Sequence, residues 1–400
     1  MRRSAVVAVV MIAVPLVLFG VPWWVLVISS DWPAPVVVAG SVVFAAGFGT
    51  LIATMRLGHG GRSIDAAARI GDTTLGVVWL LFTWSVLGAV IRVLLAVAGV
   101  PNPVRCRSVT LAVLAIVVVL AVVGHIEAMR VPRVRTLDIV LPRLGRAFDG
   151  VRVVVVADTH FGPIDRRSWA VKVVAAVNAL NPDVVCHVGD LADGTVTRRR
   201  PQVDPLGEVH ATMGKFYITG NHEYFSEAQR WLDHMTDLGW TPLHNRHELL
   251  SRGEDRLVIA GVDDPTGVRS GLAGHGPDLA AALGGTDPDV PVVLLAHQPK
   301  QVPGAAKAGI DLQISGHTHG GQIWPFHYLV RLEQGVRRGL SRHGTGTQLY
   351  TCGGAGFWGP PLRVFAPSEI AVLVLRAAES GSAQGRQPMR ADPGRSRLEA

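Results

Sequence analysis

Four long apolar runs, almost free of charge, fill the first 130 or so residues, and a chain patterned that way has few folds open to it. Crossing a bilayer takes about 20 apolar residues in a helix, where every backbone N–H and C=O finds a partner without water. The runs cover approximately Ala5–Ile28, Val36–Met55, Leu75–Val97 and Val109–Met129. They predict an all-α transmembrane module of about four helices over residues 1–130. Trp23, Trp24 and Trp32 lie near the end of the first run and in the turn after it, as interfacial aromatics do. A cleavable signal peptide is the rival reading of that run, because Met1-Arg2-Arg3 opens the chain. The run is too long for one, and no small-x-small site leads into a mature domain.

Arginines beside the runs set the expected orientation. Arg2 and Arg3 precede the first run, Arg56, Arg62 and Arg69 fill the second connection, and Arg130, Arg133 and Arg135 follow the fourth. The opposite side holds only Arg105 and Arg107. Both termini are therefore expected in the cytoplasm, together with the domain that follows the module. Arg92 falls inside the third run and is expected to snorkel towards headgroups. A transport pathway would need several such charges, so the module reads as an anchor. The net charge of +7 comes largely from arginines that flank apolar runs or lie in the C-terminal tail. Membrane lipids, not nucleic acid, are the partner this implies. Cys106, Cys186 and Cys352 are scattered, which indicates neither a disulfide framework nor a zinc ribbon.

From about Thr136 the texture changes to short apolar runs separated by Gly, Pro, Asp and Asn. Strands are expected at Leu137–Leu141, Val151–Ala157, Val184–Val188, Lys215–Thr219, Arg256–Val262, Val292–Ala296, Leu312–Ser315, Gln348–Cys352 and Ile370–Leu375. Helices are expected at Arg167–Leu180, Glu227–Leu238, Pro277–Leu283 and Gln301–Ala308. This alternation predicts sheets covered by helices, in a layered α/β or α+β domain over residues 131–375. Residues 376–400 are poor in large apolar side chains and read as a disordered tail.

Polar residues sit where several of these strands should end. They are Asp158 and His160 in VVVVADTH, Asp190 in VVCHVGD, Asn221 in YITGNHE, His297 in VVLLAHQP, and His317 and His319 in ISGHTHGG. Residues two apart at a strand end point to the same side, so Asp158 with His160, and His317 with His319, can each reach one ion. An ionised Asp190 at the end of a buried strand is costly without a cation, and its two oxygens can bridge two. Four contacts per metal follow if it does. Asp158, His160, Asp190 and His319 would hold one ion; Asp190, Asn221, His297 and His317 the other. This mixed nitrogen and oxygen set without thiolate suits Mn, Fe or Zn. Two such ions can activate a hydroxide and clamp a phosphoryl group. His222 would then protonate the leaving oxygen or steady the phosphoryl charge.

In content and order, D-x-H, G-D-x-x-D, G-N-H-E, a lone His after a strand and G-H-T-H resemble the calcineurin-like metallophosphoesterase superfamily over residues 136–375. The resemblance implies an α+β, four-layer αββα sandwich with a dinuclear site at the loop edge of its two sheets. It also implies metal roles for the seven ligands, an acid or phosphate-contact role for His222, and an orienting role for Asp193. GHTHGGQ at 316–322 and GGAGFWGPPLR at 353–363 are similar to the membrane-associated YkuE- and YaeI-type branch. That branch implies a bacterial cell-membrane enzyme acting on a phosphodiester or pyrophosphate bond, with a phospholipid or a nucleotide-linked glycolipid as substrate. The stretch WPFHYLVRLEQGVRRG after Gln322 departs from the pattern and leaves the substrate open.

Blander readings stand beside these. Asn221 can be a turn residue, His297 a strand-end histidine, His222 structural, and Asp193 a helix or turn cap. Arg363 can contact substrate phosphate or make a surface salt bridge. Arg198–Arg200 reads as a solvated or lipid-facing loop. A phosphomonoesterase or protein phosphatase with the same site, and a non-catalytic membrane scaffold or sensor, are the alternatives to a diesterase.

Overall fold

The computed structural model describes residues 2–61 and 63–378, with only the backbone described for residues 2–12. Arg62, the side chains of Arg2 and Arg3, and the expected tail from residue 379 onward lie outside the described residues.

Four helices come first: α1 Arg2–Leu26, α2 Ala34–His59, α3 Asp65–Val97 and α4 Val104–Met129. All four are long and apolar enough to cross a membrane. At 33 residues, α3 is about 50 Å long against a hydrocarbon layer of about 30 Å. It begins ten residues before the expected Leu75, because Asp65–Thr74 is helical without being apolar. Small residues let the helices close up: a Cβ on Gly58 would sit 2.4 Å from the Ala68 nitrogen, and one on Gly88 2.9 Å from Val113. Arg92 does not snorkel. It is buried in the bundle, where it donates to the hydroxyls of Ser29, Ser30 and Thr110 and to the Cys106 carbonyl, so its charge is solvated by protein.

The remaining elements are β1 Arg133–Leu141, β2 Arg152–Val156, α5 Arg167–Asn178, β3 Val184–Val188, α6 Val196–Val203, β4 Gly214–Ile218, α7 Asn221–Tyr224, α8 Ala228–Asp237, β5 Thr241–Pro242, β6 Arg246–Arg252, β7 Asp255–Gly261, α9 Leu279–Leu283, β8 Val292–Leu295, α10 Val302–Lys307, β9 Leu312–Ser315, α11 Phe326–Gln334, β10 Gly339–His343, β11 Thr347–Thr351 and β12 Glu369–Ala377. One six-stranded sheet runs β1-β12-β2-β3-β4-β5 and the other β10-β11-β9-β8-β7-β6. Alternation along the strands sets the layers. Val153 and Val155 of β2 point between the sheets, where they meet Ile259, Leu295 and Ile314 from the other sheet. Val154 and Val156 point outward onto Trp169 and Val173 of α5 and a cluster that includes Trp231 of α8. The second sheet's outer face, with Val258 and Leu294, is covered by Ala282 of α9 and Ala305 of α10. The result is the expected helix–sheet–sheet–helix stack. Its last strand runs through Arg376 and Ala377, two residues into the segment read as tail.

The module is clamped to this stack. The Gly124 carbonyl accepts from the Arg363 N–H at 2.9 Å, and a Cβ on Gly124 would lie 2.9 Å from Val364. A Cβ on Gly76 would meet Leu362 at 2.8 Å and Pro360 at 2.9 Å. Glu127 pairs with Arg133 and accepts from the Ser368 N–H. The arginine run is not a solvated loop. Arg198 and Arg199 lie on α6, and both pair with Asp65 in the first turn of α3, with Arg199 buried.

Candidate metal centre

Five strand ends converge on one edge of the two sheets. Strands β2, β3 and β4 are mutually parallel, as are β8 and β9, so their C-terminal ends face the same way. Asp158 and His160 follow β2, Asp190 follows β3, Asn221 follows β4, His297 follows β8, and His317 and His319 follow β9. Loops after parallel strands are where open sheets gather ligands. The local backbone is strained to aim these side chains. Asp158, His160, Asp190, His317 and His319 all have positive φ, between 43° and 70°. Non-glycine residues hold such angles only where surrounding structure enforces them, and they collect at functional sites. Gly189 is needed before Asp190, because a Cβ there would lie 2.5 Å from His297 Nδ1.

The ligand atoms form two adjoining groups. Asp158, His160 and His319 offer atoms within 4.8 Å of one another, as do Asp190, His297 and His317. Asp190 lies between the groups, its Oδ2 3.5 Å from His160 Nε2 and 3.2 Å from His297 Nε2. Asn221 Oδ1 joins the second group, 2.9 Å from His317 Nδ1. His160 and His319 approach Nε2 to Nε2 at 2.9 Å, and His160 Nδ1 donates to Asp193 Oδ1 at 2.9 Å. His297 Nδ1 donates to the Val188 carbonyl at 2.8 Å, which leaves its Nε2 as the nitrogen that faces Asp190. That nitrogen and Asp158 Oδ2 are buried without a hydrogen-bond partner. Buried orphans of this kind cost free energy unless something electron-poor meets them. The donor set fits divalent cations: oxygen and imidazole nitrogen, oriented by outer hydrogen bonds, with no thiolate.

His222 borders the groups without belonging to either. Its N–H donates to Asp190 Oδ1 at 2.9 Å, and its Nδ1 donates to Asp193 Oδ1 at 2.7 Å. Asp193 therefore ties one ligand, His160, to His222, and it does not cap a helix. Burial pushes the His222 pKa down, but the carboxylates of Asp190 and Asp193 prevail and hold it up to about 9. Burial raises Asp158 to about 6 despite nearby His297. His317 is driven to about 3 by burial and by His297, so it stays neutral and able to ligate.

Arg363 makes no surface salt bridge. It is buried, and its N–H groups donate to the carbonyls of His319, Gly353, Gly354, Gly356 and Ala366, with Nη2 3.2 Å from His319 Nδ1. All its hydrogens serve to fix the loop behind His319, which leaves none for a phosphate. Three residues escaped the sequence reading. Glu223 accepts from the N–H groups of Asp190, Leu191, Ala192 and Gly220, which binds two ligand loops together. Its place inside G-N-H-E was the available signal. Arg166 is buried with Nε and Nη2 unpartnered, stacked 3.7 Å from the Trp169 ring and 4.7 Å from that of Phe357. Trp358 stands beside His222, with ring centroids 6.0 Å apart.

A cleft of about 1190 Å³ opens over the ligand groups, with His160, His222, His319 and Arg166 in its wall. Residues 151–321 match the family described as calcineurin-like phosphoesterase. The chain is 36% identical over 310 residues to a transmembrane protein with metallophosphoesterase domain from Danio rerio, covering 76% of this chain and 71% of that one. A span of that length does not fit within residues 131–400, so the similarity reaches back into the helices. An uncharacterized metallophosphoesterase of Campylobacter jejuni is 37% identical over 271 residues, covering 67% of this chain and 69% of that one. The uncharacterized metallophosphoesterase YkuE of Bacillus subtilis is 30% identical over 240 residues, covering 58% of this chain and 80% of the relative.

Proposed function

The chain belongs to the calcineurin-like metallophosphoesterase family, and from that premise we propose that it is a membrane-anchored, dinuclear-metal hydrolase of a phosphodiester or pyrophosphate bond in a lipid-linked substrate. The position of Asp190 carries this reading, since one carboxylate oxygen reaches a histidine nitrogen of each ligand group. Asp158, His160, Asp190 and His319 would hold one divalent ion; Asp190, Asn221, His297 and His317 the other. Bound there, such ions polarise a phosphoryl group and make water a competent nucleophile near neutral pH. The chain's own residues do the rest. Asp193 fixes the His160 tautomer through Nδ1 and keeps His222 charged. His222, with Nδ1 taken, has Nε2 to give a proton to the leaving oxygen. Arg166, buried in the cleft wall between the Trp169 and Phe357 rings, adds fixed positive charge behind the phosphoryl position. Arg363 acts as a positioning residue for His319.

The arginine distribution around the helices supports a cytoplasmic catalytic domain in the cell membrane. The large, partly apolar cleft favours a diester with a bulky group over a small monoester. Purified full-length protein is expected to release p-nitrophenol from bis-p-nitrophenyl phosphate when supplied with Mn, Fe or Zn. It should act more slowly on the monoester. Asp190→Ala and Asn221→Ala should each lose this activity while retaining the circular dichroism of the parent. Unchanged turnover in both variants would refute the assignment. Preference for the monoester would point instead to a phosphomonoesterase.

A further inference from the structure

The cleft does not end at the metal ligands. Its wall continues across the seam onto the helical module, where Leu18 of α1, Met55 of α2, and Leu75 and Trp79 of α3 line it. Across from them stand Phe326 and Leu329 of α11, and Trp79 meets Phe326 edge to face with centroids 6.0 Å apart. A polar collar shares the same cleft: His59 paired with Asp72 at 2.8 Å, and Arg199 paired with Asp65. One continuous depression thus carries a cation-seeking ligand set, hydrogen-bonding groups and an apolar arm built from membrane helices. That combination matches an amphiphile with a single phosphate-bearing head and at least one alkyl chain.

We propose that the module is half of the substrate site: the arm formed by Leu18, Met55, Leu75 and Trp79 with α11 binds the alkyl chain of the phosphoester and sets its specificity. This rests on the phosphoesterase reading above and assigns a further part of the chain to it. Three observations argue for a lipid chain as the occupant. The arm is continuous with the ligand groups, so a chain lying there is attached to a phosphate within reach of them. It is built on helices whose outer faces are apolar, so a chain arrives from the bilayer without crossing water. The face that α11 turns away from the arm carries apolar side chains too: Tyr328 and Leu332 are exposed on it. An amphipathic helix with that pattern, packed beside membrane spans, lies in the headgroup layer. The mouth of the arm therefore opens where lipid headgroups are.

The test uses full-length protein in detergent micelles or nanodiscs with manganese and a series of p-nitrophenyl alkyl phosphodiesters from methyl to dodecyl. In the parent, kcat/KM should climb with chain length, by about two- to fourfold for each methylene that enters the arm, and then level off. Leu75→Arg and, separately, Met55→Trp should flatten that climb while the methyl ester is hydrolysed at the parent rate. Retained methyl-ester turnover also shows that each variant is folded. A flat chain-length profile in the parent, or an undiminished climb in both variants, overturns the proposal. Failure of the parent to hydrolyse even the methyl ester is a different result: it removes the phosphoesterase reading, and the arm's role with it.

Discussion

The two halves of this chain are turned inside out relative to each other. In the helical module, Val42, Val43, Val93, Leu94, Val118 and Val122 face outward, and the interior is where Ser30, Thr110 and Arg92 meet. In the catalytic stack, Val153–Val156 are buried and the polar side chains crowd one loop edge. Apolar residues follow the solvent: lipid for the first half, a dry core between layers for the second. The contrast also says where chemistry can be built. Inside the module, Ser30, Thr110 and Arg92 bond to one another, whereas at the sheet edge His297 Nε2 and Asp158 Oδ2 converge with other donor atoms on one cleft.

That contrast can be broken most severely at the shared carboxylate. Asp190→Ala is expected to lower turnover by roughly 10³-fold or more, while α1–α4 remain membrane-integrated on carbonate extraction. Loss of membrane integration would mean the halves fold as one unit. His222→Ala should cost on the order of 10²–10³ in kcat with metal content by elemental analysis unchanged; a drop in bound metal would recast His222 as a ligand. A matched pair tests the inversion itself. Val154→Ser, in the core, should destabilise the catalytic domain by about 1–3 kcal/mol, whereas Val42→Ser on the outer face should stay within about 0.5 kcal/mol. Equal penalties in thermal melts would show that α2 packs against protein there. At the seam, Gly124→Leu forces a side chain into Val364 and should cost about 1–3 kcal/mol by overpacking, visible as a lower melting temperature of the catalytic domain. No shift would mean that the two halves are only loosely joined.

The smallest effect concerns His244. Its hydrogen bond to Asp263, 2.7 Å long, raises its pKa above the ordinary histidine value. A raised folded-state pKa means the stabilisation is fully present below the unfolded value near 6.5 and is lost as pH rises through the folded one. His244→Gln should therefore lower the melting temperature more at pH 5.5 than at pH 8.5. A penalty independent of pH would contradict this.

Legibility in the sequence followed the same divide. The strands that carry candidate ligands were readable because most are buried on both faces and so appear as largely apolar runs, Val153–Val156 and Val292–Leu295 being the clearest. The outermost strands of the second sheet, β6 and β10, were not. RHELLSR and GLSRH are edge sequences, and an edge carries charge in place of an apolar signature. The start of α3 and all of α6 were missed for a related reason. Their fixing contacts, Asp65 with Arg198 and Arg199, join residues some 130 positions apart, and no local pattern announces such a pair. The candidate ligands themselves stood out, since their types and spacing suit such chemistry. Among the residues that brace them, Asp193 and Arg363 were singled out, Arg363 with other partners than it has, and Glu223 was not, because Glu223 and Arg363 do their work largely through backbone groups that have no letter in a sequence.

Only Arg130, Val131 and Pro132 separate the end of α4 from the start of β1. Three residues reach about 10 Å at most, and one of them is a stiff proline. The hydrolytic pocket is consequently parked at a set height above the bilayer, without the sweep that a loose leash would give it. A target that itself resides in the bilayer would then be met by lateral gliding within one thin layer.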